Sequence, residues 1–169
     1  MEVREAVPDD ADAIRTTHAA SITELGTESY SQEQVDAWAA GCESADYTAA
    51  IESPDHYLVV AVVDGSIRGF GSLVVAAPEA DEATADAEVT AVYVHPSVAR
   101  EGVGSRIYES LERRAGERDI TALELTASQN AVAFYRSHGY ERIGATRHEF
   151  SGHESTGVYG TVVEMRKEL

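Results

Sequence analysis

Between Glu88 and Arg114 the chain runs through a strand, a tight turn and a helix in immediate succession, and the rest of the chain is organised around that stretch. Glu88-Val-Thr-Ala-Val-Tyr-Val94 is rich in β-branched and aromatic residues and is closed by His95-Pro96. Val103, Ile107 and Leu111 then recur at i, i+4 and i+8, one stripe of a helix. In the turn between them, Gly102 and Gly104 leave room for backbone N–H groups to converge where a new helix has its unpaired donors. Such a place suits a phosphate. The turn is not a Walker loop, which needs Gly-Lys-Ser/Thr, nor a dinucleotide fingerprint, whose third glycine position holds Ile107. By itself, a Gly-x-Gly turn is equally consistent with tight packing.

The downstream sequence narrows the choice. Leu123-Glu-Leu-Thr126 reads as a further strand, and Asn130-Ala131-Val-Ala133-Phe134-Tyr135-Arg-Ser-His-Gly139-Tyr140 as a short helix stopped by glycine. Together with the strand end and the Gly-x-Gly turn, this segment resembles the GNAT superfamily of acyl-CoA N-acyltransferases over roughly Glu88 to Tyr140. The resemblance implies an α/β (α+β) domain with a mixed, mostly antiparallel sheet, flanked by helices and splayed at its central strand pair. It implies acetyl-CoA as co-substrate and an amine as acceptor, joined by direct transfer in a ternary complex. The backbone of Val92 and Val94 would hold the pantetheine arm, and Ala99, Arg100, Glu101, Gly102, Val103, Gly104 and Ser105 the pyrophosphate. Asn130 would contact the arm, and Tyr135 would contact it and protonate the departing thiolate. Glu88 stands at the spacing of the catalytic glutamate in the histone-acetylating branch. The family usually has Gln or Arg where this chain has Ala99, a change that weakens donor binding only modestly if the loop works through its backbone. A CoA-binding regulatory or sensory module without turnover is the alternative.

The chemistry itself asks for such groups. A lysine-like amine has an ordinary pKa of about 10.4 and must lose a proton before it attacks, while a tyrosine, at about 10, is protonated and able to give one up. On a regularly alternating strand, Glu88, Thr90, Val92 and Val94 share one face, which would set the carboxylate along the donor groove. Cys42 stands outside the motif region as the single cysteine, and is expected to be a buried small side chain and not a nucleophile. The six histidines have no metal-ligand spacing, and no metal is expected.

The rest of the chain fits one domain of 169 residues. Glu2 to Val7 alternates as a strand, and Pro8-Asp9-Asp10 opens a helix reaching Leu25. Ser31 caps a second helix through Val35 and Trp38 to Gly41. In the resembled family this region borders the acceptor pocket, so Tyr30 and Trp38 are candidate lining residues, with Trp38 alternatively stapling its helix to the sheet. Tyr57 to Val63 and Ile67 to Val75, joined through Asp64-Gly65, form a hairpin in which Gly69 and Gly71 suggest a close backbone approach. Pro78 to Asp86 is an acidic loop. Tyr140 to Phe150 and Val158 to Arg166 make a final antiparallel pair, whose connection, Ser151 to Gly157, would rim the acceptor site by resemblance. These last strands would also carry a homodimer if one forms.

Charge excludes some partners. Thirty acidic residues face thirteen basic ones, a formal charge of −17, and Lys167 is the single lysine. Nucleic acid and anionic membranes require a basic footprint, which is absent here. A hydrated acidic surface almost without lysine resembles the proteins of extreme halophiles, where salt screens the self-repulsion. With no secretory leader read at the start and no apolar run long enough to span a bilayer, a cytoplasmic protein is expected.

Overall fold

The computed structural model describes residues 1–75, 87–150 and 156–169. The strands are β1 (Glu2–Glu5), β2 (His56–Val63), β3 (Ser66–Val75), β4 (Ala87–Val94), β5 (Ala122–Ser128), β6 (Glu141–Glu149) and β7 (Tyr159–Glu168). The helices are α1 (Ala11–Leu25), α2 (Gln32–Ser44), α3 (Tyr47–Glu52), α4 (Val103–Glu117) and α5 (Val132–Ser137). The strands form one sheet in the order β1-β2-β3-β4-β5-β7-β6, antiparallel except at β4–β5. The acidic loop at 76–86 and most of the Ser151 to Gly157 connection lie outside the described residues.

Local sequence explains most boundaries. Ser31 caps α2 through a reciprocal pair: Gln34 N–H donates to Ser31 Oγ at 3.2 Å and Ser31 N–H to Gln34 Oε1 at 2.8 Å. The helix continues past Gly41 to Ser44, and α3 follows it, an element that the sequence pattern does not announce. On α4, Val103, Ile107, Tyr108, Leu111 and Ala115 are buried, the periodicity read from the sequence. This stripe enters the sheet where Gly69 and Gly71 remove side chains from β3. A Cβ on Gly69 would stand 2.7 Å from Ile107 Cδ1, and one on Gly71 would overlap Ile107 Cγ2. The two glycines are therefore a socket for one isoleucine. Lys167, the lone lysine, ties β7 to α4 through Glu112 at 2.8 Å.

Two cores flank the sheet. Ile107, Leu111, Leu123, Leu125 and Met165 anchor the α4 side, while Ile14, Tyr47, Val60 and Phe70 anchor the α1–α3 side. A third cluster around Ile22, Val35, Cys42 and Phe150 seats α2, and Cys42 is buried as expected.

Candidate functional site: a cleft between two parting strands

Strands β4 and β5 pair only at Ala87–Leu123 and Glu88–Glu124. Beyond that point β5 stays with β7 as far as Ser128, and β4 stays with β3 as far as Val94, so the sheet opens between them. The opening is a cleft of about 400 Å³. Val92, Val94, Gly104 and Ser105 line one bank together with Asn130, Phe134 and Tyr135; Ile22, Leu25, Trp38 and Tyr93 line the other.

The first bank sets a helix start beside the open edge of β4. Gly102 takes φ +85°, which lets the chain reverse into α4 with the unpaired N–H groups of its first turn turned to the cleft. Arg100 also stands in the left-handed region, φ +63°, as Asp64 and Asp119 do in two other turns, a region that non-glycine residues visit uncommonly. Its guanidinium reaches across the mouth to Glu28 at 3.5 Å; both side chains line the cleft. Asn130 Oδ1 is buried with no hydrogen-bond partner, an acceptor that asks for a donor from a bound molecule. Among the expected pyrophosphate residues, Ala99, Arg100, Gly102, Gly104 and Ser105 line the cleft. The side chain of Val103 goes into the core, and Glu101 lies on the exposed side of the turn. His138 Nε2 stands 3.1 Å from Ser105 Oγ and holds that hydroxyl at the edge of the cleft.

Tyr135 is nearly buried, and burial is the main force raising its phenol far above the ordinary tyrosine pKa, with Tyr93 and Tyr140 adding to it. It therefore keeps its proton at any working pH. The aromatic side chain of Phe134 packs against the core and also lines the cleft.

Strand β4 departs from simple alternation. Its register against β3 slips between Val89 and Ala91, leaving Thr90 as a bulge. Ala87 and Val89 therefore pack on the α4 side with Val92 and Val94, whereas Ala91 and Tyr93 pack on the α1 side. The single face expected for Glu88, Thr90, Val92 and Val94 is thus corrected: Glu88 shares the face of Ala91 and Tyr93. It sits at the throat where the strands part, outside the cleft lining, with Glu124 beside it. Partial desolvation in the throat, and then the Glu124 charge, raise its pKa above the ordinary carboxylate value, although the residue remains exposed to solvent on its outer side. Glu124 is itself held by Arg166 at 2.9 Å.

On the second bank, Trp38 faces the cleft and stacks on Phe150 with rings 17° apart, so it both lines and staples. Its ring also meets that of Tyr93, a residue that sequence reasoning passed over, edge to face with centroids 6.4 Å apart. Tyr30 does not face the cleft. Its hydroxyl donates to the Thr161 carbonyl at 2.7 Å and accepts from Gln129 N–H at 3.0 Å, bolting the α1–α2 turn to the ends of β5 and β7. Beneath this bank His18 bonds Tyr47 at 2.7 Å through Nδ1, and burial lowers its pKa to about 4. Among the described residues, no group of three or more His, Cys, Asp or Glu side chains could hold a metal, and no helix is long and apolar enough to cross a membrane.

A split sheet with a glycine turn and a buried phenol on one bank defines a class of α/β proteins with a cleft for an extended, anion-bearing ligand. The family model described as acetyltransferase (GNAT) domain matches residues 27–157, and the chain belongs to that family. Among solved structures, it is similar to a Rhodopseudomonas palustris protein described as a GCN5-related N-acetyltransferase, aminotransferase class II. The identity is 27% over 99% of this chain and 95% of that one, with a TM-score of 0.81. The fold is shared with the PaiA N-acetyltransferase of Thermoplasma acidophilum, solved in complex with coenzyme A: 19% identity, 99% and 98% coverage, TM-score 0.77. It is also shared with a ribosomal-protein-alanine N-acetyltransferase from Brucella melitensis: 21% identity, full coverage of both chains, TM-score 0.67. A search of the curated proteins finds no significant match.

Proposed function

We propose that the chain transfers an acetyl group from acetyl-CoA directly to an amine in a ternary complex. The observation that carries this reading is the buried, unpartnered Asn130 Oδ1, which stands on the same bank as the α4 turn and fits an amide N–H of a pantetheine arm. The co-substrate supplies the activated acyl group; the chain binds and orients it and moves the protons. The N–H groups after Gly102 hold the pyrophosphate. A backbone N–H near Val94 stabilises charge on the acyl oxygen. Tyr135, protonated and buried, gives its proton to the leaving sulfur. Glu88 lies on the acceptor-side face of β4, and its raised affinity for a proton suits a base that draws one from the amine through water.

The acidic surface suits high salt and a cytoplasmic setting, and the two-sided exposure of β6 suits pairing between copies. Calorimetry with acetyl-CoA, dephospho-CoA and ATP, in molar KCl, is the first test. Binding of the CoA species without ATP, followed by thiol release when amines are added, supports the reading. Absence of any CoA binding overturns it.

A further inference from the structure

A second cavity, of about 550 Å³, lies between the first two turns of α1 and the β2–β3 hairpin. Among the described residues it shares no lining residue with the cleft. Its charge runs against the chain: in a protein of net −17, the lining holds two arginines, Arg4 and Arg68, and one carboxylate, Asp10. That carboxylate is fully occupied. Arg4 grips both its oxygens, at 2.8 and 3.1 Å, and Val7 N–H adds a third bond at 2.9 Å. Arg68, in contrast, makes no ion pair or side-chain hydrogen bond among the described residues.

The backbone puts Arg68 there. Between Ala61 and Val62 the β2–β3 register slips, so Ala61 faces Gly69 and Val62 faces Ile67, and Arg68 is the extra residue. Its carbonyl accepts His95 N–H at 2.7 Å, which brings His95 to the same wall. His95 offers a defined donor. Its Nδ1 accepts the Ser97 backbone N–H at 3.1 Å, so in the neutral ring the hydrogen sits on Nε2. Ser66 and Thr17, two hydroxyl residues, line the same cavity as Arg68, whose guanidinium has its forked donors unpaired among the described residues.

We propose that this cavity is a second ligand site, for a small oxyanion carrying two or more negative charges, phosphate or dicarboxylate, held by Arg68 and His95. The site stands apart from the transfer reaction and does not depend on it. Its placement couples it to the cleft by position, because α1 lines this cavity with Thr16 and Thr17 and lines the cleft with Ser21 and Ile22.

The test is residue-resolved NMR of the full chain, titrated with inorganic phosphate and with malonate at fixed ionic strength, with and without CoA. Saturable shifts at Gly65, Ser66, His95 and the Arg68 Nε–H that persist with CoA present are expected, and the ratio of the two affinities tells phosphate from carboxylate. Arg68→Gln should weaken binding about tenfold or more, the loss of one charged hydrogen-bonding partner, and Arg68→Lys by less. Shifts confined to the Gly102–Ser105 turn and abolished by CoA overturn the proposal, as do shifts that never saturate or an affinity unchanged in Arg68→Gln. Because the readout is by residue, failure of CoA to bind does not mask the result.

Discussion

The two banks of the cleft are built on opposite plans. In the proposed reaction the α4 bank recognises through backbone: a left-handed Gly102, a helix start, and strand edges at Val92 and Val94. The opposite bank recognises through side chains, Trp38 and Tyr93 joined to each other and backed by Phe150 and His18. Backbone recognition needs fixed spacing and absent side chains, so it leaves a signature in sequence. Side-chain recognition needs only a shape, assembled here from α1, α2 and β4, and many sequences supply one.

Substitutions on each bank should break this contrast in distinct ways. The largest effect is expected from Tyr135→Phe, which removes the proposed proton donor and should lower kcat by about 100-fold or more with CoA affinity nearly unchanged. Equal turnover with any accepted amine would take Tyr135 out of that role. Gly104→Val places a branched side chain between Val94 and Phe134, whose atoms already lie about 3.5 Å from a Cβ there. CoA affinity should fall more than tenfold, about 1.4 kcal/mol, in calorimetry, with the helix intact by circular dichroism. Trp38→Leu belongs to the other bank and should raise the acceptor KM severalfold while CoA binding stays put; a parallel loss of both would mean that the banks are not independent.

Two pH experiments read stability in place of binding and turnover. His18 has a folded pKa of about 4 against 6.5 when free, so the unfolded chain binds the extra proton between those values. Stability should fall as pH drops through that window, by about 3 kcal/mol in all, and His18→Phe should flatten the dependence in denaturant titrations. Glu88 has the opposite sign for its class. Its raised folded pKa means that the native state loses stability as pH rises past the free carboxylate value, so Glu88→Gln should melt slightly higher at neutral pH and level with the parent in acid. The same variant should slow turnover most at the low end of the pH range, where free amine is scarce.

Much of the first bank was legible because its cause is local. Gly102 and Gly104 announce a turn, Ile107 and Leu111 announce a buried stripe, and Gly69 with Gly71 announce the approach of something, which the fold identifies as Ile107. What stayed hidden is cooperative. Nothing near Tyr30 in sequence says that its hydroxyl will meet Thr161 and Gln129, and so the sequence reading expected it in the acceptor pocket. Tyr93 was hidden by a bulge at Thr90, since a rule of strict alternation has no place for an extra residue. Arg68 was hidden in the same way, by the slip at Ala61.

The bulge at Thr90 makes the length of β4 matter more than its spelling. Thr90 answers to no partner in the ladder, so replacing it by another β-former should be cheap. Deleting it is another matter, because the strand would fall back into a single phase. With Val92, Val94 and α4 keeping their contacts, Glu88 would be carried round to the inner face, where Ile107 and Leu111 offer no counter-charge, while Ala87 and Val89 would be turned outward. For this strand a missing letter is worse than a wrong one, and variants of the family that keep both banks would be expected to tolerate substitutions at this point while resisting changes in count.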